Sequence, residues 1–202
     1  MKYHPWTEEV RDDSLVRIMT LPREIAAKSH MLTKGESVRS WFPSEVVFDF
    51  APNGGIKPGD AVRNVLGLHI VSEKLRGILE SAASAHFEFL PVKLRNHKKK
   101  LVPEPYYLAN LLDVVTCVNR ERSVFTVNEL FKDRLRDFEK LVLDLGKLGP
   151  DTELFRLGEN TELVIVREDL ARAILQTGCT GMNFMPMEDY GSELRLKDNY
   201  DL

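Results

Sequence analysis

Residues 85–123 read AHFEFLPVKLRNHKKKLVPEPYYLANLLDVVTCVNRERS, and our interpretation of the chain is built around this stretch. Its first part alternates aromatic and branched side chains with period two, which is typical of a β-strand. Leu90 and Val92 fall on one face of this strand. Phe87 and Phe89 fall on the other, so we expect both faces to be covered.

A basic loop and a proline-flanked segment lead from this strand to a second apolar run, Tyr106–Val118. That run is rich in β-branched and aromatic residues, so we predict that most of it forms a buried strand. A helix through Leu108–Val115 is the alternative. In the first strand, Pro91 cannot donate a ladder hydrogen bond and therefore predicts an edge, a bulge or a bend.

Composition excludes several classes of protein. The chain has 202 residues and a net charge of −3, which fits one domain or two small ones and argues against a general nucleic-acid binder. No apolar run approaches the ~18 residues of a membrane span, and the N-terminus lacks the apolar segment of a secretory signal. Cys117 and Cys179 lie far apart, which favours a cytoplasmic protein with two buried thiols.

A strand–helix–strand unit occurs twice. Residues 70–92, IVSEKLRGILESAASAHFEFLPV, align without a gap with residues 165–187, IVREDLARAILQTGCTGMNFMPM, and six positions are identical. Ser72 is a good N-cap for the first helix, and Gly178 stands at the C′ position of the second. We therefore predict two helices and an internal repeat; the alternative is that any two such units share this pattern.

The fold class that we predict is α+β, with a mostly antiparallel central sheet and two helices packed against it. Residues 59–188 form its core. Residues 1–58 are an irregular strand-and-loop region of the same domain, with strands at Ser14–Met19 and Glu45–Phe50. Residues 189–202 form a charged C-terminal tail.

Downstream of the central stretch the pattern is less regular. Val127–Asp137 is polar and its pattern is ambiguous, with a short helix as one interpretation, and Glu139–Leu145 is interpreted as a strand. Leu154–Leu157 and Leu163–Val166 are joined by Gly158–Thr161, which predicts a β-hairpin.

The sequence contains no recognisable catalytic, metal-binding or phosphate-binding motif: HExxH, CxxC, GxSxG and GK[ST] are all missing. Glu88 and Asp113 lie in predicted neighbouring strands, and we favour two solvated carboxylates over a paired-carboxylate site. His69 and His86 flank the first helix and are interpreted as ordinary strand-end residues. Cys117 is interpreted as a small buried hydrophobe rather than a nucleophile.

Five residues are candidates for contacts with a protein partner. Tyr106 and Tyr107 place one ring on each face of their strand, so at most one belongs to the core and the other is available as an anchor. Arg120 and Arg122 lie in a charged segment that is either a solvated turn or a contact surface. Trp41 either closes the core or is an exposed contact.

Five segments together resemble a known family. They are GDAVRNVLGLHIVSEKLRGILE, FEFLPVKLRN, PEPYYLANLLDVVTCVNRERS, LFRLGENTELVIVREDL and GCTGMNFMPME. Between Gly59 and Glu188, in this order, they are similar to a myxobacterial-type family of bacterial immunity proteins in polymorphic toxin systems, first described as a domain of unknown function. Residues 1–58 contribute nothing to the resemblance, and the family offers no site motif to transfer.

The resemblance implies a cytoplasmic, non-enzymatic protein that binds and blocks a cognate toxin domain. We expect no cofactor, no metal, no nucleic acid and no membrane partner, and the oligomeric state stays open. Such an interface buries about 1,200–2,000 Å² around a few aromatic or arginine anchors. The alternatives are an enzyme or small-molecule-binding protein with an unrecognised site, and a self-associating structural subunit.

Overall fold

The computed structural model describes residues 1–82 and 84–191, which form thirteen strands and three α-helices. The strands are β1 Tyr3–Glu8, β2 Arg17–Ile18, β3 Val47–Asp49, β4 Ala61–Asn64, β5 Ile70–Ser72, β6 Phe87–Arg95, β7 Tyr106–Leu111, β8 Val114–Val115, β9 Val124–Val127, β10 Leu135–Lys140, β11 Leu154–Leu157, β12 Asn160–Arg167 and β13 Met182–Phe184. The helices are α1 Arg23–Ala26, α2 Glu73–Ala82 and α3 Glu168–Gln176.

The strands form two main sheets and a separate two-stranded ribbon, instead of the single central sheet that we predicted. One sheet has six strands in the order β2-β4-β5-β7-β6-β3, and the other has five in the order β13-β1-β12-β11-β8. Three strand pairs are parallel, namely β2 with β4, β3 with β6 and β8 with β11, and the other pairs are antiparallel. The α+β class and the two packed helices agree with the prediction.

The antiparallel pair β6–β7 is the centre of the six-stranded sheet, with register from Phe87↔Leu111 to Val92↔Tyr106. The even face of β6 is buried in the core of this sheet, while Phe87 and Phe89 pack against the core that the helices share, so both faces are covered as predicted. On the other side of β6 the β3 ladder involves only Lys93–Arg95, just beyond Pro91. The proline therefore sits beside an edge, which was one of its three predicted positions.

The run Tyr106–Val118 is not one strand, and the helix alternative is also wrong. β7 ends at Leu111, and β8 then joins the five-stranded sheet, parallel to β11. At the break the Asp113 carboxylate accepts hydrogen bonds from the backbone N–H and Nδ1 of His86, and the Asp113 carbonyl accepts one from the Arg156 N–H at 2.8 Å. These long-range contacts decide where the chain leaves the first sheet.

The strand β1 was missed by the sequence analysis, although it lies inside the five-stranded sheet. Tyr3–Pro5 pairs with β12 and Trp6–Glu8 pairs with β13. Pro5 argues against a strand at this position, because proline has no backbone N–H to donate to a neighbouring strand. Here it stands where the chain passes from one partner strand to the other.

Helices α2 and α3 pack together and share one apolar core with both sheets. Its fully buried members include Leu75, Leu79, Ile174, Val166 and Phe184.

Both predicted helix ends are confirmed. Ser72 Oγ accepts the Leu75 N–H at 3.2 Å, and Gly178, with φ of +70°, donates its N–H to Leu175 O at 2.9 Å.

The two predicted repeat segments have the same local topology. In each, a strand–helix–strand unit places its strands on either side of a third strand that is antiparallel to both, β7 between β5 and β6, and β1 between β12 and β13. The repeat itself stays a prediction, because a shared topology does not require a shared origin.

The remaining predicted strands and the remaining predicted helix are only partly present in the structure. The hairpin of β11 and β12 is confirmed, whereas the short helix over Val127–Asp137 is wrong because this segment belongs to the two-stranded ribbon. The strand predicted at Glu139–Leu145 lies earlier, as β10. The strands predicted at Ser14–Met19 and Glu45–Phe50 are present but shorter, as β2 and β3.

A buried arginine ties the two sheets together. Arg156 is 1% exposed and donates from Nε to Leu111 O at 2.9 Å, from Nη1 to Thr161 O at 2.9 Å and from Nη2 to Leu32 O at 3.4 Å. Burial lowers the pKa of its guanidinium to about 10. The charge is therefore held by backbone carbonyls of three separate segments.

Candidate functional site

The ribbon of β9 and β10 and the turn between them carry four exposed apolar side chains, which together we call the ribbon surface. Its members are Val124, Val127, Leu130 and Phe131, exposed by 48%, 40%, 86% and 62%. Leu130 and Phe131 are adjacent in the sequence, and two neighbouring large apolar side chains in water are a candidate binding surface. The ribbon surface is therefore the first candidate for contact with a partner.

The apex of the ribbon, Leu130 and Phe131, is held by a hydrogen-bonded turn, and we call this pair the ribbon tip. Asn128 Oδ1 accepts the backbone N–H groups of both residues at 3.0 Å. The Asn128 N–H donates to Arg134 O at 2.9 Å, and the Arg134 N–H donates to Phe131 O at 2.9 Å. These bonds fix the backbone that carries the two apolar side chains, so their display is part of the fold.

A β-bulge fastens the base of the ribbon to the protein body. The register shifts between Arg136 and Lys140, and Asp137 lies in the bulge with φ of +50°. Phe138 consequently turns inward, where its ring centroid lies 6.1 Å from that of Phe125 and 6.5 Å from that of Tyr190. The ribbon is packed against the protein body at both ends, because Leu135, beside the tip, is also buried and donates its N–H to Glu159 O at 2.7 Å.

A cleft of about 760 Å³, here called the basal cleft, lies beside this base. Four basic and three acidic side chains line it, among them Arg122, just before β9, and Lys140, the last residue of β10. Its apolar lining is formed by Leu141, Leu143, Leu145, Pro186 and Met187. The basal cleft is therefore amphipathic, with no dominant charge.

Of the two tyrosines among the sequence candidates, the structure places Tyr106 in the core. It is 5% exposed, and its hydroxyl donates to Gly59 O at 3.2 Å. Burial raises its pKa to about 12. Tyr107 stays half-buried, with the Arg76 guanidinium 4.5 Å from its ring centroid. We accordingly keep Tyr107 as a candidate contact and set Tyr106 aside.

The other three candidates fall into two places. Arg120 and Arg122 are exposed and lie just before β9, and Arg120 Nη2 lies 3.4 Å from Asp133 O, in the turn that leads into β10. Trp41 is half-buried, with Lys28 Nζ 5.1 Å from its ring centroid, and packs against the core of the six-stranded sheet. Only the two arginines adjoin the ribbon surface.

The carboxylates Glu88 and Asp113 do not form a pair. Glu88 is buried and accepts hydrogen bonds from Ser37 Oγ, from the Val38 N–H at 3.0 Å and from Asn110 Nδ2 at 3.2 Å. Burial acts to raise its pKa, but these hydrogen bonds outweigh burial and hold the pKa below its ordinary value. Our expectation of a solvated carboxylate is therefore wrong for Glu88.

The other residues considered as catalytic candidates, His69 and Cys117, are packed among core side chains. The His69 ring is tilted by 60° against that of Trp6, with 5.0 Å between ring centroids, and burial, with a smaller effect of the Arg156 charge, lowers the pKa of His69 to about 3. Cys117 is fully buried, and burial raises its pKa to about 12. Within residues 1–82 and 84–191 there is no group of three or more His, Cys, Asp or Glu side chains arranged to hold a metal ion. In the same ranges, no helix has the length and apolar character needed to cross a membrane.

The ribbon surface was missed because its segment was interpreted as a helix. A signal was nevertheless present: an apolar pair, Leu130-Phe131, sits between Asn128-Glu129 and Lys132-Asp133 in an otherwise polar segment. Asparagine favours a turn by accepting hydrogen bonds from the N–H groups that follow it. An apolar pair at the apex of such a turn is exposed to solvent because the backbone turns there, at the edge of the protein.

Comparison with known proteins gives one match. A model of the immunity protein family (Imm11) matches residues 9–189, which is 189 − 9 + 1 = 181 of the 202 residues. The match extends well before Gly59, where the resemblance noted from the sequence begins. A search among curated proteins finds no match to this chain.

Proposed function

The chain belongs to the immunity protein family (Imm11), and from this premise we propose that it binds and neutralises a cognate toxin domain of a polymorphic toxin system. The proposed mode of action is a protein–protein interface in the cytoplasm, without catalysis. Membership of the family over most of the chain is the observation that carries the proposal.

The architecture supports this proposal physically. A protein that inhibits by binding needs a scaffold that holds its contact surface in one conformation, because ordering side chains and loops on association weakens affinity. The Arg156 hydrogen bonds between the sheets and the packed base of the ribbon supply such a scaffold. The contact surface that we propose combines the ribbon surface with Arg120, Arg122 and the basal cleft.

The charges suggest how specificity arises. With a net charge of −3 over the chain and a mixed lining in the basal cleft, strong electrostatic steering is not available. Recognition would then depend on shape and on apolar anchors surrounded by paired polar groups. Trp41 and Tyr107 lie away from the ribbon and are proposed as secondary contacts.

Co-expression tests the proposal. The full chain is produced in a bacterial host together with the C-terminal domain encoded by the neighbouring gene, and with an unrelated protein of similar size as the control. We expect the chain, but not the control, to restore growth and to co-purify with the toxin domain. If growth stays arrested and no complex is recovered, the proposed function is wrong. Rescue without any complex would instead show that the chain acts without stable binding, for example by catalysis.

A further inference from the structure

The ribbon tip carries two neighbouring apolar side chains that the described fold does not use. Neither Leu130 nor Phe131 belongs to any of the three apolar cores, whereas the flanking residues Phe125, Leu135 and Phe138 all do. The turn around Asn128 nevertheless holds both residues outward through two hydrogen bonds. The same short element therefore buries residues along both of its strands and exposes the two side chains of its turn.

We propose that the ribbon tip is the anchor of the interface with the toxin domain, and that it inserts into an apolar pocket on that domain. This inference rests on the proposed function and adds to it the part of the surface that carries most of the affinity. A few buried side chains near the centre of an interface usually dominate binding, and aromatic residues are prominent among them.

The charges around the tip favour a protein as the occupant. Residues 119–140 carry six basic and five acidic side chains, so the ribbon is close to neutral. A nucleic acid or an anionic membrane selects a surface with a clear excess of lysine and arginine. An apolar centre within a rim of both signs is the composition of a protein–protein contact.

A second copy of this chain fits less well than a toxin domain. In a two-fold symmetric contact the two tips either meet each other or each enters a pocket in the same patch of the other copy, and the basal cleft beside the ribbon carries four basic and three acidic side chains instead of a purely apolar lining. A tip of two side chains falls far short of the ~800 Å² per partner that a stable interface buries. Against a different protein with a concave pocket, Arg120, Arg122 and the basal cleft, which lie beside the ribbon, can extend the contact.

The experiment compares three forms of the full chain. They are the wild type, the double variant L130S/F131S, and the control I56S, which removes a 78% exposed apolar side chain from a loop outside the ribbon. The probe is the catalytically inactivated C-terminal toxin domain encoded by the neighbouring gene, and the measurement is its Kd by calorimetry. Circular dichroism, thermal midpoints and size-exclusion chromatography are recorded for each form, and L130S and F131S are also measured singly.

We expect L130S/F131S to weaken binding at least about 30-fold, as the loss of an interface hot spot does, and each single variant to account for part of this loss. I56S should bind like the wild type, and thermal midpoints should not change. Wild-type affinity in L130S/F131S would overturn the anchor while leaving the proposed function intact. A variant that changes only the oligomeric state would overturn it as well, and would assign the tip to self-association. Failure of the wild type to bind would overturn both proposals.

Discussion

Replacing Arg156 by methionine and by lysine tests the idea that this side chain braces the two sheets. The guanidinium is fully buried, has no carboxylate partner among the described residues and donates to three backbone carbonyls, two of them at 2.9 Å. Methionine keeps much of the volume and removes the charge. Lysine keeps the charge and loses the planar set of donors.

Replacing Arg156 has two opposing effects, the loss of its hydrogen bonds and the removal of its buried charge, and their sizes can be compared. Losing two hydrogen bonds from a charged donor costs about 1.5–3 kcal/mol each, or about 3–6 kcal/mol together. Burying the charged guanidinium has a cost of its own. The pKa of Arg156 is lowered from 12.5 to about 10, which corresponds to about 3.4 kcal/mol at about 1.36 kcal/mol per pKa unit. Methionine is neutral and avoids this cost. Arg156→Met should therefore lower the free energy of unfolding by about 1 kcal/mol. Lysine can replace at most part of the hydrogen bonding and still buries a cation, so Arg156→Lys should cost about 3 kcal/mol.

The lysine variant has a further signature in its pH dependence. Burial lowers the pKa of a lysine in the folded state below its unfolded value of about 10.4, so the unfolded state binds more protons between these two values. Stability of Arg156→Lys should therefore rise as the pH increases from about 7 to 9.5, relative to the methionine variant.

Urea unfolding monitored by circular dichroism at several pH values measures these differences. The control is Arg136→Met, an exposed arginine with one ion pair at 3.5 Å to Asp137, which should change stability by less than about 0.5 kcal/mol. A lysine variant more stable than the methionine variant at pH 7 would refute the reasoning, because it would mean that the charge itself is favourable at this position.

Three further outcomes follow from the structure. Gly178→Ala should destabilise the protein by about 1 kcal/mol, because φ of Gly178 is +70°. Gly77 lies inside α2 with no atom within 4 Å of an added Cβ, so Gly77→Ala should stabilise the protein by about 0.5–1 kcal/mol. Equal effects of the two variants in urea unfolding would contradict this. Cys117 and Cys179 are buried with raised pKa values, so a thiol reagent at pH 8 should label neither in the folded protein and both in denaturant, and rapid native labelling would contradict the burial. The pKa of His69 is lowered to about 3, so below pH 6.5 the unfolded state binds a proton that the folded state does not. The free energy of unfolding should therefore fall as the pH drops from about 6.5, by at most about 3 kcal/mol at pH 4. His69→Gln should make this pH dependence weaker, and an unchanged pH dependence would refute the assignment.

Elements with a strong local pattern were predictable from the sequence. The strand β6 was read from period-two alternation, and the helices α2 and α3 from their apolar spacing and from Ser72 and Gly178 at their ends. The α+β class follows from these elements. All of this information lies within about ten neighbouring residues, which is the range over which periodicity and capping act.

Features that depend on distant partners were not predictable. The chain leaves the six-stranded sheet at Asp113 because His86 and Arg156, 27 and 43 positions away, bind its carboxylate and carbonyl. The burial of Glu88 depends in the same way on Ser37 and Val38. The sequence does not indicate which charged side chains are buried. Burial of a charge requires hydrogen-bond donors or acceptors around it, and only the folded chain brings these together.

The failed prediction at Val127–Asp137 has a different cause, which bears on function. A two-stranded ribbon with one buried side should alternate apolar and polar residues, but Leu130 and Phe131 are adjacent and point into solvent, so the segment follows neither the strand nor the helix period. Local rules of folding would place polar residues at such an apex. Sequences tend to break these rules where a residue is retained for a task other than folding. The misassigned segment is also the segment that we propose as the anchor, as expected if its apolar side chains are retained for contact with another protein and not for folding.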